Sequence, residues 1–207
     1  ALLVSALAVQ GKYAQATKVL AQLSADPPDG LLAALESLAE LSAGAAPAAR
    51  TELARLQLEA LRLLAAREHE LTSPQRSTLS RIRAQALADV GRIDQALGAY
   101  EELVEANPQD LELQELYARL LASRSDRASL QAALERWRRI ARQTPTATPR
   151  WFRAKYALAE LHYRMGQSDT SQAIIRQLRV LHPELGGPSM KERFQELLQR
   201  CKTQRPR

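Results

Sequence analysis

Val90-Gly91-Arg92-Ile93-Asp94-Gln95-Ala96 opens, and Asn107-Pro108 closes, the stretch that decides the fold. Counted from Gly91, Ala96 stands at +5, Tyr100 at +9, Leu103 at +12 and Pro108 at +17. Gly91 sits between two helical patterns, where a turn needs positive φ and glycine takes it at no steric cost. Ala96, Tyr100 and Leu103 are four and then three residues apart, so they share one helix face. Ala96 is small enough to let a neighbouring helix approach closely. Pro108 lacks an N–H and disfavours helix in the residue before it, so the second helix is predicted to end near Asn107. The unit is a helix, a tight turn, a helix and a proline stop.

The same offsets recur. From Gly11 they fall on Ala16, Leu20, Leu23 and Pro28; from Gly166, on Ser171, Ile175, Leu178 and Pro183. From Ala128 they fall on Ala133, Trp137, Ile140 and Pro145. The preceding helices repeat too: Ala84 and Leu87 stand before Gly91 where Ala159 and His162 stand before Gly166. Tyr117, Ala118 and Leu121 hold similar places in the unit that ends at Pro145.

This arrangement resembles the tetratricopeptide repeat, a helix-turn-helix unit of about 34 residues. The resemblance covers most of residues 74–185 and, more weakly, 1–28. It departs from the family pattern at Ser80, where an early aromatic is usual. The steps from Pro108 to Pro145 and on to Pro183, 37 and 38 residues, are also long. Residues 29–73 lack the spacing but carry two apolar patterns, Leu31 to Leu41 and Leu53 to Leu64, and read as a divergent helix pair. After the break at 186–189, Met190, Phe194, Leu197 and Leu198 form an amphipathic stripe, read as a capping helix over 186–202. Residues 203–207 read as a basic tail. The expected fold is all-α: a right-handed solenoid of roughly five antiparallel helix pairs with a C-terminal cap. One pair cannot bury its apolar face alone, whereas stacked neighbours can.

Composition agrees. Ala and Leu, strong helix formers, are the commonest of the 207 residues, and Ile and Val are scarce. The net charge of +6 is uneven: residues 1–73 carry six Lys/Arg against eight acids, net −2, which leaves +8 for the remainder. One cysteine excludes an intrachain disulfide and a cysteine-built zinc site, and suits cytoplasm and periplasm alike. No apolar run approaches the ~20 residues that span a bilayer. The chain begins without methionine and is expected to be a piece of a larger, bacterial polypeptide.

Catalytic and metal chemistry find no residues to carry them. His69, His162 and His182 have no partner at a ligand spacing, and His69-Glu70 is not followed by a second histidine. His162 reads as a packing histidine and Cys201 as a partly exposed thiol. Gly186-Gly187 sits in no phosphate-loop pattern. No catalytic residue, metal or cofactor is expected.

Two binding surfaces remain. Arg136-Trp137-Arg138-Arg139 and Arg150-Trp151-Phe152-Arg153 interleave cations with rings, as nucleic-acid or anionic-surface binders do. Trp137, however, occupies the packing position held elsewhere by Leu20, Tyr100 and Ile175, and Trp151 and Phe152 suit the next helix junction. The family resemblance implies instead a groove lined by the first helix of each unit. Its residues here would be Arg81, Gln85 and Asp89; Glu112, Glu115 and Arg119; and Arg153, Tyr156, Glu160, Tyr163 and Arg164. Members that clamp a terminal carboxylate use lysines and asparagines at such places, and no matching asparagine occurs. The expected function is a non-catalytic scaffold that binds a protein or peptide segment along this groove; the alternative is nucleic acid held by the C-terminal arginines.

Overall fold

Glycine turns and proline stops cut the chain into helices of 8 to 19 residues. The computed structural model describes residues 1–203, and the expected basic tail beyond Thr203 lies outside them. Among the described residues there are eleven α-helices, one 3₁₀ turn at Glu68–Glu70 and no strand. They are α1 (Leu2–Val9), α2 (Tyr13–Leu23), α3 (Asp29–Gly44), α4 (Pro47–Ala65), α5 (Ser73–Asp89) and α6 (Ile93–Ala106). There follow α7 (Leu111–Ser123), α8 (Arg127–Gln143), α9 (Pro149–Arg164), α10 (Ser168–Leu181) and α11 (Pro188–Thr203). The described residues are all-α, five helix pairs followed by one further helix. Among the described residues no helix is long and apolar enough to cross a membrane.

Gly11, Gly91 and Gly166 all take φ between +71° and +79°, and no neighbour lies within 4 Å of where a Cβ would stand. Conformation rather than crowding selects glycine there. The copy counted from Ala128 differs. Ala128 lies inside α8, and the turn is instead made by extended Arg124 and by Asp126, which caps α8 by accepting from Ser129 N–H at 2.8 Å. That N–H, then the Ser129 side chain and Arg124, hold the Asp126 carboxyl down at about 2. A side-chain cap replaces the glycine turn, while Ala133, Trp137 and Ile140 keep their inward places. Thr72 and Gln75 form a capping box on α5, and Thr148 caps α9.

The helices form two compact units, residues 1–106 and 107–207. In the first, each helix packs on its sequence neighbours, and α1 also meets α3 and α2 meets α4. Leu20, Leu35, Leu38 and Ala60 are fully buried there. In the second, α7, α8, α9 and α10 pack in order, and α11 covers both α9 and α10. Phe194 and Leu197 of α11 are fully buried beside Ile175, and Phe194 meets the Tyr156 ring edge-on at 5.4 Å. Cys201 is buried rather than partly exposed. Its Sγ donates to Ser171 Oγ at 3.3 Å, the small position in α10 that lets α11 approach.

Candidate functional site: an arginine-lined groove around a buried glutamate

Glu115 sits five residues into α7, where a helix face turns inward, and only 5% of it is exposed. An unpaired carboxylate so placed is costly. Three guanidiniums answer it. Arg119, one turn on, bonds Oε1; Arg153 Nε donates to Oε1 at 2.9 Å and Arg153 Nη2 to Oε2 at 3.4 Å; Arg150 Nε donates to Oε2 at 3.4 Å. Burial pushes this carboxyl upward, but Arg153, Arg119 and Arg150 together outweigh it and hold the group below the ordinary glutamate range. One negative charge thus fixes three positive ones at fixed places on α7 and α9, with two charges in excess.

Above this cluster opens a cavity of about 480 Å³. Arg119, Arg153, Tyr156, Glu160, Arg164 and Arg193 line it, with Trp137 at its wall. Four guanidiniums thus face one carboxylate, Glu160. Arg164 is already committed: it bonds Ala122 C=O and, at 2.8 Å, Arg124 C=O, satisfying carbonyls at the end of α7. Arg193 of α11 stacks on Tyr156, 4.2 Å from the ring centre, and Arg200 stacks on Tyr163 at 4.7 Å. These pairs pin α11 to α9 and hold Arg193 at the cavity mouth. Desolvation, then the Glu160 charge, raises the Tyr156 hydroxyl above its usual range, so it faces the cavity as a neutral donor.

Of the predicted groove residues, five therefore line this one cavity, with Glu115 beneath as its anchor and not as a contact surface. Tyr163 is covered by Arg200. Glu112 lies exposed in the first turn of α7, away from the cavity. Arg81, Gln85 and Asp89 belong to the first unit. There Tyr100 Oη donates to Gln85 Oε1 at 2.9 Å, and Gln85 Nε2 to Asp89 Oδ1 at 3.1 Å. Asp89 Oδ2 is buried without a partner, and burial raises this carboxyl. Gln85 and Asp89 are thus held in a side-chain network with Tyr100. Arg150 and Arg193 were outside the predicted set; the spacing of α7 and α9 does not point to them, because they act across helices.

Trp137, Trp151 and Phe152 are 3%, 8% and 5% exposed. The last two stack edge-on with each other and with His182. His162 is buried, with Nδ1 2.5 Å from Gln167 Oε1 in the turn, as a packing histidine. Among the described residues no three His, Cys, Asp or Glu side chains gather as metal ligands.

The tetratricopeptide-repeat family profile matches residues 78–120. No curated protein sequence matches the chain. Among solved structures, the C-terminal part of a TPR repeat-containing protein from Cytophaga hutchinsonii is similar over 96% of this chain and 78% of that one, with TM-score 0.54 and 14% identity. A protein of nearly identical TPR-like repeats from Podosopora anserina is 21% identical over 86% of this chain and 95% of its own, with TM-score 0.48. Tetratricopeptide repeats generally mediate protein–protein interaction, and the fold is generally a non-catalytic scaffold. The matched segment runs from within α5 through α6 into α7, and the spacing of the α5/α6 turn recurs along the chain, so the chain carries a tetratricopeptide-repeat match there and shares that fold along its length.

Proposed function

We propose that the chain is a non-catalytic scaffold that holds a partner protein's segment in the groove of α7, α9 and α11. The observation that carries this reading is the cavity where Arg119 and Arg153, held by buried Glu115, meet Arg193, held by the Tyr156 ring. Guanidiniums fixed in this way lose little freedom on binding, which favours affinity. Their excess charge suits a segment that bears carboxylates. The nucleic-acid alternative is weaker, because the rings that would stack on bases are buried in packing.

Photo-crosslinking tests the proposal. A benzophenone amino acid replaces Ala157 in the cavity lining or, as a control, exposed Arg139 on α8. Discrete adducts from position 157 only, lost in an Arg193→Glu background, are expected. Identical adducts from both positions, or none from 157, would overturn the groove reading.

A further inference from the structure

A second concave surface lies in the first unit, on the α5 face opposite Arg81, Gln85 and Asp89. It is a trough of about 780 Å³ between α4 and α5, closed at one end by the start of α6. Arg76, Leu79, Arg83 and Leu87 line it from α5 and Val90 from the cap that follows, and their spacing of three or four residues makes one stripe. Leu58, Leu61 and Leu64 line it from α4. Leu58, Leu61 and Leu79 are only half-buried, and Leu58 lies outside the cluster that packs this unit.

The rim is basic. Five arginines border the trough against two carboxylates, Glu59 and Glu68, an excess of three positive charges. Arg62 is bound to Glu59, Arg55 to Glu52, and Arg76 to Leu71 C=O. Exposed Arg83 and Arg92 have no carboxylate partner among the described residues. The basicity is local, since residues 1–73 are net acidic.

We infer that this trough is a second docking site, for an amphipathic helical segment of a partner protein whose apolar stripe is flanked by Asp or Glu. An apolar floor some two helical turns long takes leucine-like anchors at i, i+3, i+4 and i+7. The unpaired guanidiniums of Arg83 and Arg92 take the flanking carboxylates. Charge selects this occupant over a basic helix or an uncharged one. The site is independent of the α7–α9–α11 groove and does not rest on it.

The test selects 16-residue peptides from a random displayed library on the full chain, then measures the affinities of synthetic versions. Arg83→Glu/Arg92→Glu changes exposed side chains only, and circular dichroism confirms its fold. Leu58→Gln is the apolar counterpart. The selected peptides should combine apolar residues at helical spacing with flanking acids. They should bind Arg83→Glu/Arg92→Glu at least about tenfold more weakly, Leu58→Gln more weakly, and Arg193→Glu unchanged. The inference is overturned if no peptide is selected, or if the selected ones bind the double variant equally. It is overturned too if a 20-nucleotide single strand binds the wild type and not the double variant, which makes the surface a nucleic-acid site. Self-association of the wild type that the double variant abolishes would assign the trough to a second copy and overturn it equally.

Discussion

At the scale of single residues, buried carboxylates carry the sharpest consequences. Glu115→Gln removes the charge that gathers Arg119, Arg150 and Arg153. Those guanidiniums are partly exposed and can rehydrate, so the cost is expected to be about 1–3 kcal/mol. Both tryptophans, Trp137 and Trp151, lie in the same unit, so their fluorescence reports this melt directly. The folded Glu115 carboxyl is held low, so its stabilisation is present above the unfolded glutamate range, near pH 4.3, and is lost as pH falls through the folded value. The wild type should therefore lose melting temperature on acidification more steeply than Glu115→Gln. Asp89 works with the opposite sign. Its carboxyl is raised by burial, so stability is greatest below the unfolded aspartate value and declines as pH rises through the folded one. Asp89→Asn keeps an acceptor for Gln85 and removes the buried charge. It should raise the melting temperature at pH 7 and change little at pH 3; a drop at pH 7 would show that the charge itself is needed. Neither role is legible locally. Glu115 looks like one more polar residue of α7, because two of its three partners come from 35 and 38 residues away. The Arg119 pairing, one turn on, is the only part that helical spacing exposes.

Elements were more legible, because sterics act locally. Glycine and proline positions marked the turn before α6 and the ends of α6, α8 and α10, each of which stops two residues before its proline. The exception, the α7–α8 turn, follows from a different local device, the Asp126 cap, which an alanine-for-glycine match does not reveal. Gly91→Ala and Gly186→Ala separate the two uses of glycine. At Gly91 only positive φ opposes a side chain, and the cost should be about 1–2 kcal/mol. At Gly186 a Cβ would also stand 2.7 Å from the Phe152 ring, so the loss should be clearly larger. Equal melting temperatures for the two variants would refute the Phe152 contact. Ala96 is fully buried, and Ala96→Trp should overpack its junction by about 1–3 kcal/mol.

For the whole molecule, the repeat accounts for stability and shapes the proposed groove. Stacked pairs leave an apolar face at the end of the array, and α11 covers the one that α9 and α10 present. Phe194 and Leu197 are completely buried, each worth about 1.5–3 kcal/mol. Deleting residues 188–207 should lower the melting temperature and promote aggregation, visible by size-exclusion chromatography. It also removes Arg193 from the groove. The helix-pair architecture was readable because its spacing occurs four times, whereas the groove's chemistry was not, because α11 contributes to it from beyond the repeats. The central claim is that first helices carry the partner. Hydrogen–deuterium exchange of the full chain, with and without the segment crosslinked at position 157, tests it most directly. Protection is expected in α7, in α9 and at the Arg193 turn of α11, with α8 and α10 unchanged. Protection confined to α8 and α10 would contradict it.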